Sequence, residues 1–262
     1  MLHLALLGDP VAHSFSPRLH AAALAAAGIR GSYEARRVDV AGMESAVEEI
    51  RTGHLHGANV TMPHKRVAAR LADSLEADAA RAGSVNTLLI RAGVVAGAST
   101  DVEGIRRAWG RLPEGPVLIL GAGGAAAAAL LALEGRPLSV SARRPDAARA
   151  LVARSGVEAT VSEWGKPVDG AVVVNATALG MQGERLPESL LASAAGLFDM
   201  PYGKGQTPAV VTAVAHGLPV VDGVEMLISQ AALSFELWTG VSPSPAAMRA
   251  AIEDDHSPES KL

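Results

Sequence analysis

Two α/β domains are predicted by three features of this sequence. Short apolar runs alternate with segments of helical periodicity. The alternation restarts near Val102, and 262 residues suit one large or two ordinary domains. The first apolar run, residues 2–7, reads as a strand. Ser16-Pro17 then looks like an N-cap followed by proline at the first helical position, opening a helix through Ala27 that Gly28 ends. Residues 33–38 form a strand, 42–52 a helix and 55–60 a strand, and helical stretches follow over 63–82. Residues 85–91 and 94–96, separated by Ala92-Gly93, read as a hairpin. This order predicts a mostly parallel sheet covered by helices.

The second half starts with a helix from Val102 to about Arg111 and a loop over 112–115. A strand at 117–120 leads through a glycine-rich turn into a helix at 125–133. Strand 138–141, helix 146–155, strands 171–175 and 197–200, helix 208–216 and strand 220–221 follow. Helices at 225–239 and 245–254 come last, before a polar tail over 256–262.

Composition removes several functions. With no cysteine, disulfides, thiolate metal sites and a cysteine nucleophile are excluded. A net charge of -4, spread without blocks, and 3% aromatic residues argue against nucleic acid and against an anionic membrane surface. Residues 1–8 are apolar but lack a basic start and run into Asp9-Pro10, so they read as a strand and not a signal peptide. The uncharged stretch 116–133 has Gly121, Gly123 and Gly124 in its middle, which suits strand–turn–helix and not a membrane span. A cytoplasmic protein is expected. His54 and His56 alternate without a carboxylate cluster, so no metal site is expected. Lysine is scarce: Lys65, Lys166, Lys204 and Lys261 are the only four among 23 basic residues.

The turn Gly121-Ala122-Gly123-Gly124-Ala125 lies between a buried strand and a helix start, as in a Rossmann-type dinucleotide site. Gly121 permits the tight turn, and Gly123 lets backbone approach a pyrophosphate favoured by the helix N-terminus. Ala126 stands where the strict fingerprint has its third glycine, an accepted variant. After the next strand, an NAD site usually has a carboxylate for the ribose 2′-hydroxyl; here the chain has Arg143-Arg144. A guanidinium grips a 2′-phosphate that a carboxylate would repel, so NADP is the expected cofactor.

Polar clusters stand at or near predicted strand ends. They are His13-Ser14-Phe15-Ser16-Pro17, Asn59-Val60-Thr61-Met62-Pro63-His64-Lys65, Gly83-Ser84-Val85-Asn86-Thr87 and Ser99-Thr100-Asp101. With the glycine turn, Asn175-Ala-Thr177-Ala-Leu-Gly180-Met181 and Met226-Leu-Ile-Ser-Gln230, they resemble the shikimate dehydrogenase family in order from about Leu4 to Gln230.

The resemblance implies a substrate-binding and catalytic domain over 1–102 plus 223–262, an NADP domain over 103–222, and a cleft between them. Ser14 and Ser16 match the hydroxyls that bind the substrate carboxylate, and Thr61, Asn86 and Gln230 match binders of the ring hydroxyls. Tyr202 is also matched to the substrate. Lys65 matches the catalytic lysine and Asp101 its partner. Gly121, Ala122, Gly123, Gly124 and Ala125 match the diphosphate loop, Arg143 and Arg144 the adenosine side, and Thr177, Met181, Gly223 and Met226 the nicotinamide side. The implied reaction is reversible NADPH-dependent reduction of 3-dehydroshikimate to shikimate, in chorismate and aromatic amino-acid biosynthesis, by a monomer or homodimer. This sequence departs from the family pattern at Ser99, usually asparagine, at Ala142-Arg143-Arg144, usually Asn-Arg-Thr, and in the loop after Tyr202.

The chemistry is coherent on its own terms. Ketone reduction needs a hydride donor, a proton donor to the developing alkoxide and groups that orient the substrate. A carboxylate beside an ammonium favours its charged form and opposes acid–base tuning, so positioning is the role assigned to Asp101, with proton relay as the lesser alternative. Plainer readings exist: Ser16 as a helix N-cap, and Met181 and Met226 as core fillers. Two functional alternatives are a quinate or amino-shikimate dehydrogenase and a non-catalytic NADP-binding sensor.

Overall fold

The computed structural model describes residues 1–110, 112–203 and 205–253. Arg111, Lys204, the last residue of the helix expected over 245–254 and the polar tail expected over 256–262 lie outside the described residues. In chain order the elements are β1 (Leu2–Gly8), α1 (Ser16–Ala26), β2 (Gly31–Arg37), α2 (Val40–Thr52), β3 (Gly57–Val60) and α3 (Lys65–Leu71). Next come β4 (Ser74–Leu75), α4 (Ala77–Ala82), β5 (Thr87–Arg91), β6 (Val94–Ala98), α5 (Thr100–Ala108), β7 (Val117–Leu120), α6 (Gly124–Ala132), β8 (Leu138–Ser141) and α7 (Pro145–Ser155). The remainder are β9 (Thr160–Ser162), β10 (Val172–Asn175), α8 (Ser189–Ala192), β11 (Gly196–Asp199), α9 (Pro208–Ala215), β12 (Val220–Val221), α10 (Gly223–Thr239) and α11 (Pro245–Ala250). The chain forms two compact units. One is Met1–Thr100 with residues 227–253; the other is Asp101–Met226.

The first unit is built on a six-stranded sheet of order β2-β1-β3-β5-β6-β4. β1 runs parallel to β2 and β3, whereas β5 is antiparallel to both β3 and β6, as the expected hairpin requires. This topology has a consequence for function. Leu7 pairs with Val60, Asn59 with Thr87, and Thr87 with Ala98. The ends of β1, β3 and β6 and the start of β5 therefore share one edge, and the segments carrying Ser14, Lys65, Asn86 and Thr100 all leave or enter there.

The second unit holds a parallel sheet of order β12-β11-β10-β7-β8-β9. Chain order reverses direction across β7 and β10, the switch point at which doubly wound sheets bind ligands. β7, read as Val-Leu-Ile-Leu, is buried at every position, as a strand covered on both faces should be.

Several elements differ from the sequence expectation. Ser16 is not the N-cap of α1: Phe15 holds that position, and Ser16 is the first helical residue. The helix starts early because Ser14 Oγ accepts the Ser16 backbone N–H at 3.2 Å, satisfying a donor that a helix start leaves open. The helical stretches expected over 63–82 are α3 and α4, but the strand β4 separates them. There Asp73 N–H donates to Val95 O and Asp73 Oδ2 accepts from Val95 N–H, each at 2.9 Å, while Glu76 N–H donates to Gly97 O. Pairing at the sheet edge outweighs helix propensity, which is a weak prior. The short strand β9 and the short helix α8 were not anticipated. At the start of α2, Asp39 Oδ1 accepts from Gly42 N–H and caps the helix.

Below the first sheet lies a histidine with an unusual setting. His20 is fully buried and stacks on Tyr33 at 4.2 Å, with Trp238 at 5.3 Å. Both ring nitrogens lack a hydrogen-bond partner among the described residues. Burial pushes its pKa down from 6.5 to about 3, and the nearby Asn59 amide opposes the shift without reaching bonding geometry. The unfolded chain therefore binds a proton below pH 6.5 that the folded chain refuses until about pH 3. Stability should fall across that window as pH falls, by about 1.4 kcal/mol per unit from this group. Asp199, raised by burial from 3.8 to about 6, contributes in the opposite sense between those values. Denaturant titration of His20→Leu against the parent isolates the histidine, because Asp199 is common to both. The variant's stability difference should move in its favour from pH 7 to pH 4; a difference independent of pH would contradict this.

Candidate active site

The shared edge of the first sheet gathers the polar residues singled out in the sequence. His64, buried, precedes Lys65 and donates through Nε2 to Val38 O at 2.8 Å. Val85 N–H donates to Lys65 O at 2.9 Å. The backbone of Lys65 is thus tied on two sides at the start of α3, with the residue half-buried. A cation in the first helical turn opposes the macrodipole, so local helix stability does not explain a lysine here. Thr61, half-buried, is held by its N–H to Leu7 O at 2.9 Å. Ser14 Oγ donates to Ser16 Oγ at 3.2 Å, which pairs the two hydroxyls read as carboxylate binders.

Behind them lies a buried network that sequence reading missed. Tyr33 Oη donates to Asn59 Oδ1 at 2.8 Å, which fixes the direction of the Asn59 amide. Asn59 Nδ2 then donates to Asn86 O, Thr87 Oγ1 and Ser234 Oγ at 3.1, 3.2 and 2.9 Å. Thr100 N–H donates to Asn86 Oδ1 at 2.8 Å, so Asn86 Nδ2 must face the other way. It donates to Thr100 Oγ1 at 2.9 Å and to Gln230 Oε1 at 3.3 Å. Asn86 and Gln230, 144 positions apart, are therefore brought together with fixed amide polarity. Isolated polar residues inside helices and strands give no signal of such a network beyond being polar where apolar residues are expected. Asp101 is buried in the first turn of α5, a favourable place for a carboxylate whatever its other role.

In the second unit, Gly121 follows β7 with φ +117°, and a Cβ there would lie 2.9 Å from Ala176 O. Glycine is needed both for the turn and for the approach of the two loops that flank the switch point. Gly123 is the exposed N-cap of α6, in extended conformation, and a Cβ there would meet nothing within 4 Å. No side chain caps this helix. An uncapped helix start with open space before it suits an anionic group. Ala122, Gly124 and Ala125 are half-buried around it. Arg143 and Arg144 follow β8, which pairs with β7, and both are exposed with no ion pair among the described residues. The arrangement fits a dinucleotide with a 2′-phosphate.

Thr177 follows β10, where its N–H and Oγ1–H both donate to Asn175 Oδ1, at 3.2 and 2.6 Å. Met181 is 41% exposed, so the core-filler reading fails for it, whereas Met226 is 7% exposed and packs as core. Gly223 starts α10, and a Cβ there would lie 2.4 Å from Pro201 O, so backbone packing accounts for this glycine. Tyr202 is half-buried in the loop after β11. Among the described residues, no group of three or more His, Asp or Glu side chains could hold a metal ion, and no helix is long and apolar enough to cross a membrane.

A parallel sheet of this strand order, with its glycine turn at the switch point, defines a Rossmann-type dinucleotide-binding fold joined to a second α/β unit. Comparison with known proteins agrees. Residues 6–88 match the model of the shikimate dehydrogenase substrate binding domain, and residues 223–253 that of the shikimate 5′-dehydrogenase C-terminal domain. The shikimate dehydrogenase (NADP(+)) of Thermus thermophilus is 39% identical over 259 residues, covering 96% of this chain and 97% of the relative. The crystal structure of a Thermus thermophilus shikimate 5-dehydrogenase in complex with NADP(H) and shikimate aligns with a TM-score of 0.88 at 37% identity, over 97% of this chain and 100% of that one. A ligand-free 5-ketofructose reductase of Gluconobacter aligns with a TM-score of 0.85 at 26% identity, over 97% of this chain and 98% of that one. The chain belongs to the shikimate dehydrogenase family.

Proposed function

We propose that this protein is an NADP-dependent shikimate dehydrogenase, reducing 3-dehydroshikimate to shikimate and back, in aromatic amino-acid biosynthesis. The observation that carries the reading is 39% identity over 96% of the chain to an enzyme of that name, in a chain that keeps both Lys65 and the glycine turn.

Residue roles follow from chemistry. NADPH supplies the hydride when bound, and Gly121 to Ala125 with Arg143 and Arg144 would hold it. Lys65 gives a proton to the developing alkoxide and takes it back in the reverse direction. Asp101 is assigned the alignment of a substrate hydroxyl. Ser14 and Ser16 donate to the substrate carboxylate. Thr61, Asn86 and Gln230 meet ring hydroxyls, with the amide polarity of Asn86 set by Thr100 N–H. Thr177 and Met181 are placed on the nicotinamide side, together with Gly223 and Met226, and Tyr202 on the substrate side.

Purified protein given shikimate and NADP should form reduced nicotinamide and 3-dehydroshikimate together, in equal amounts. Tight NADPH binding with no turnover of any cyclic polyhydroxy acid would instead support the sensor reading.

A further inference from the structure

The second unit contains a buried carboxylate that the proposed reaction does not use. Asp199 ends β11 and is fully buried. Its Oδ1 accepts from Asn175 Nδ2 at 2.7 Å, and its Oδ2 accepts from Thr207 Oγ1. Each partner carries the order outward. Asn175 holds Thr177 through its Oδ1, as described, and its Nδ2 also donates to Leu179 O at 3.0 Å. Thr177 Oγ1 in turn accepts from Leu179 N–H at 3.0 Å. Thr207 caps α9 by accepting from Val210 N–H, and it packs where a Cβ on Gly180 would fall, at 3.2 Å. Further along, Glu184 Oε2 accepts from Gly180 N–H and Gln182 N–H at 3.1 and 3.0 Å, so exposed Met181 stands between two amides held by one carboxylate. Hydrogen bonds from backbone N–H groups, its own first and then those of Gln182 and Gly180, hold the Glu184 carboxyl below the usual range.

We propose that Asp199 is a positioning residue for the cofactor: through Asn175 and Thr207 it sets the turn that presents Thr177 and Met181, with Glu184 holding the far end of that turn. The assignment rests on the reading of Thr177 and Met181 as nicotinamide-side residues. A buried carboxylate is costly unless it is bonded, and both oxygens here are spent on the two loops around that turn. Hydrophobic packing would serve the fold alone at lower cost.

The test measures NADPH affinity by nicotinamide fluorescence, which needs no turnover, alongside the KM for shikimate and thermal stability. Asp199→Ala is expected to weaken NADPH binding by about tenfold, the scale of one lost charge-assisted hydrogen bond. The KM for shikimate should stay at the parental value. Asp199→Asn keeps an acceptor for Asn175 and offers an amide to Thr207, so it should restore most of the affinity. Glu184→Ala, on the exposed side, should weaken NADPH severalfold without lowering the melting temperature, and it carries the test if Asp199→Ala does not fold. Parental NADPH affinity in the folded Asp199→Ala and Glu184→Ala proteins would overturn the proposal. So would a parallel loss of NADPH and shikimate affinity, which marks general destabilisation. If the parent binds NADPH but leaves shikimate untouched, the substrate reading fails while the positioning role is still decided by the NADPH affinities.

Discussion

Lys65→Ala is expected to lower kcat by at least ~10²-fold, the usual scale for losing a general acid–base group. NADPH affinity should be unchanged and the protein should remain folded. The substitution leaves the bond from Val85 N–H to Lys65 O in place, since that bond involves only backbone. Alanine is also a better helix former at the start of α3, so the variant has no local reason to unfold. Lys65→Arg makes the argument sharper. It keeps the positive charge but cannot release a proton near neutral pH, so it should fail almost as badly as alanine. Substantial activity in Lys65→Arg would reduce the role to charge alone, and near-parental turnover in folded Lys65→Ala would remove the residue from the mechanism. The composition supports this choice, because a chain with only four lysines among 23 basic residues places one at a helix start that disfavours cations.

The second large effect concerns cofactor choice. Replacing both Arg143 and Arg144 by alanine is expected to lower kcat/KM for NADP by about 10- to 100-fold, with kcat/KM for NAD nearly constant. A charge-assisted hydrogen bond contributes about 1.5–3 kcal/mol, and each 1.4 kcal/mol is tenfold. Both side chains are exposed after β8 and are not engaged in ion pairs among the described residues, so their loss should not disturb the fold. An equal fall for both cofactors would mean that the arginines act on the shared part of the dinucleotide, or on the protein itself. The expected asymmetry tests whether Ala142-Arg143-Arg144 can replace the family's usual polar segment.

What the sequence revealed of the fold depended on the physical origin of each element. β7 was legible residue for residue, because a fully buried strand of a parallel sheet reads as an uninterrupted apolar run. The interruption at Asp73 was not, because the bonds that divert the chain come from β6, more than twenty residues away. Ser16 misled for a related reason: a serine before proline signals a cap, but Ser14 supplies the acceptor and Ser16 is already helical. Within the candidate site, side chains in loops at strand ends were found from residue type and order. The residues beneath them, Tyr33, Ser234 and Asp199, were missed, and Asn59 was seen only as part of a polar cluster with no role given to it. Their signal is burial, which emerges only when distant segments meet. Gly223 shows the converse, a position read for a ligand and accounted for by backbone packing.

The central claim is that this chain oxidises shikimate with NADP, and one matrix of steady-state measurements tests it directly. Purified protein is assayed with shikimate, quinate and fructose, each with NADP and with NAD, with fructose standing for the chemistry of the 5-ketofructose reductase it resembles. The highest kcat/KM is expected for shikimate with NADP. A higher kcat/KM for quinate with NAD, or for fructose with either cofactor, would contradict it.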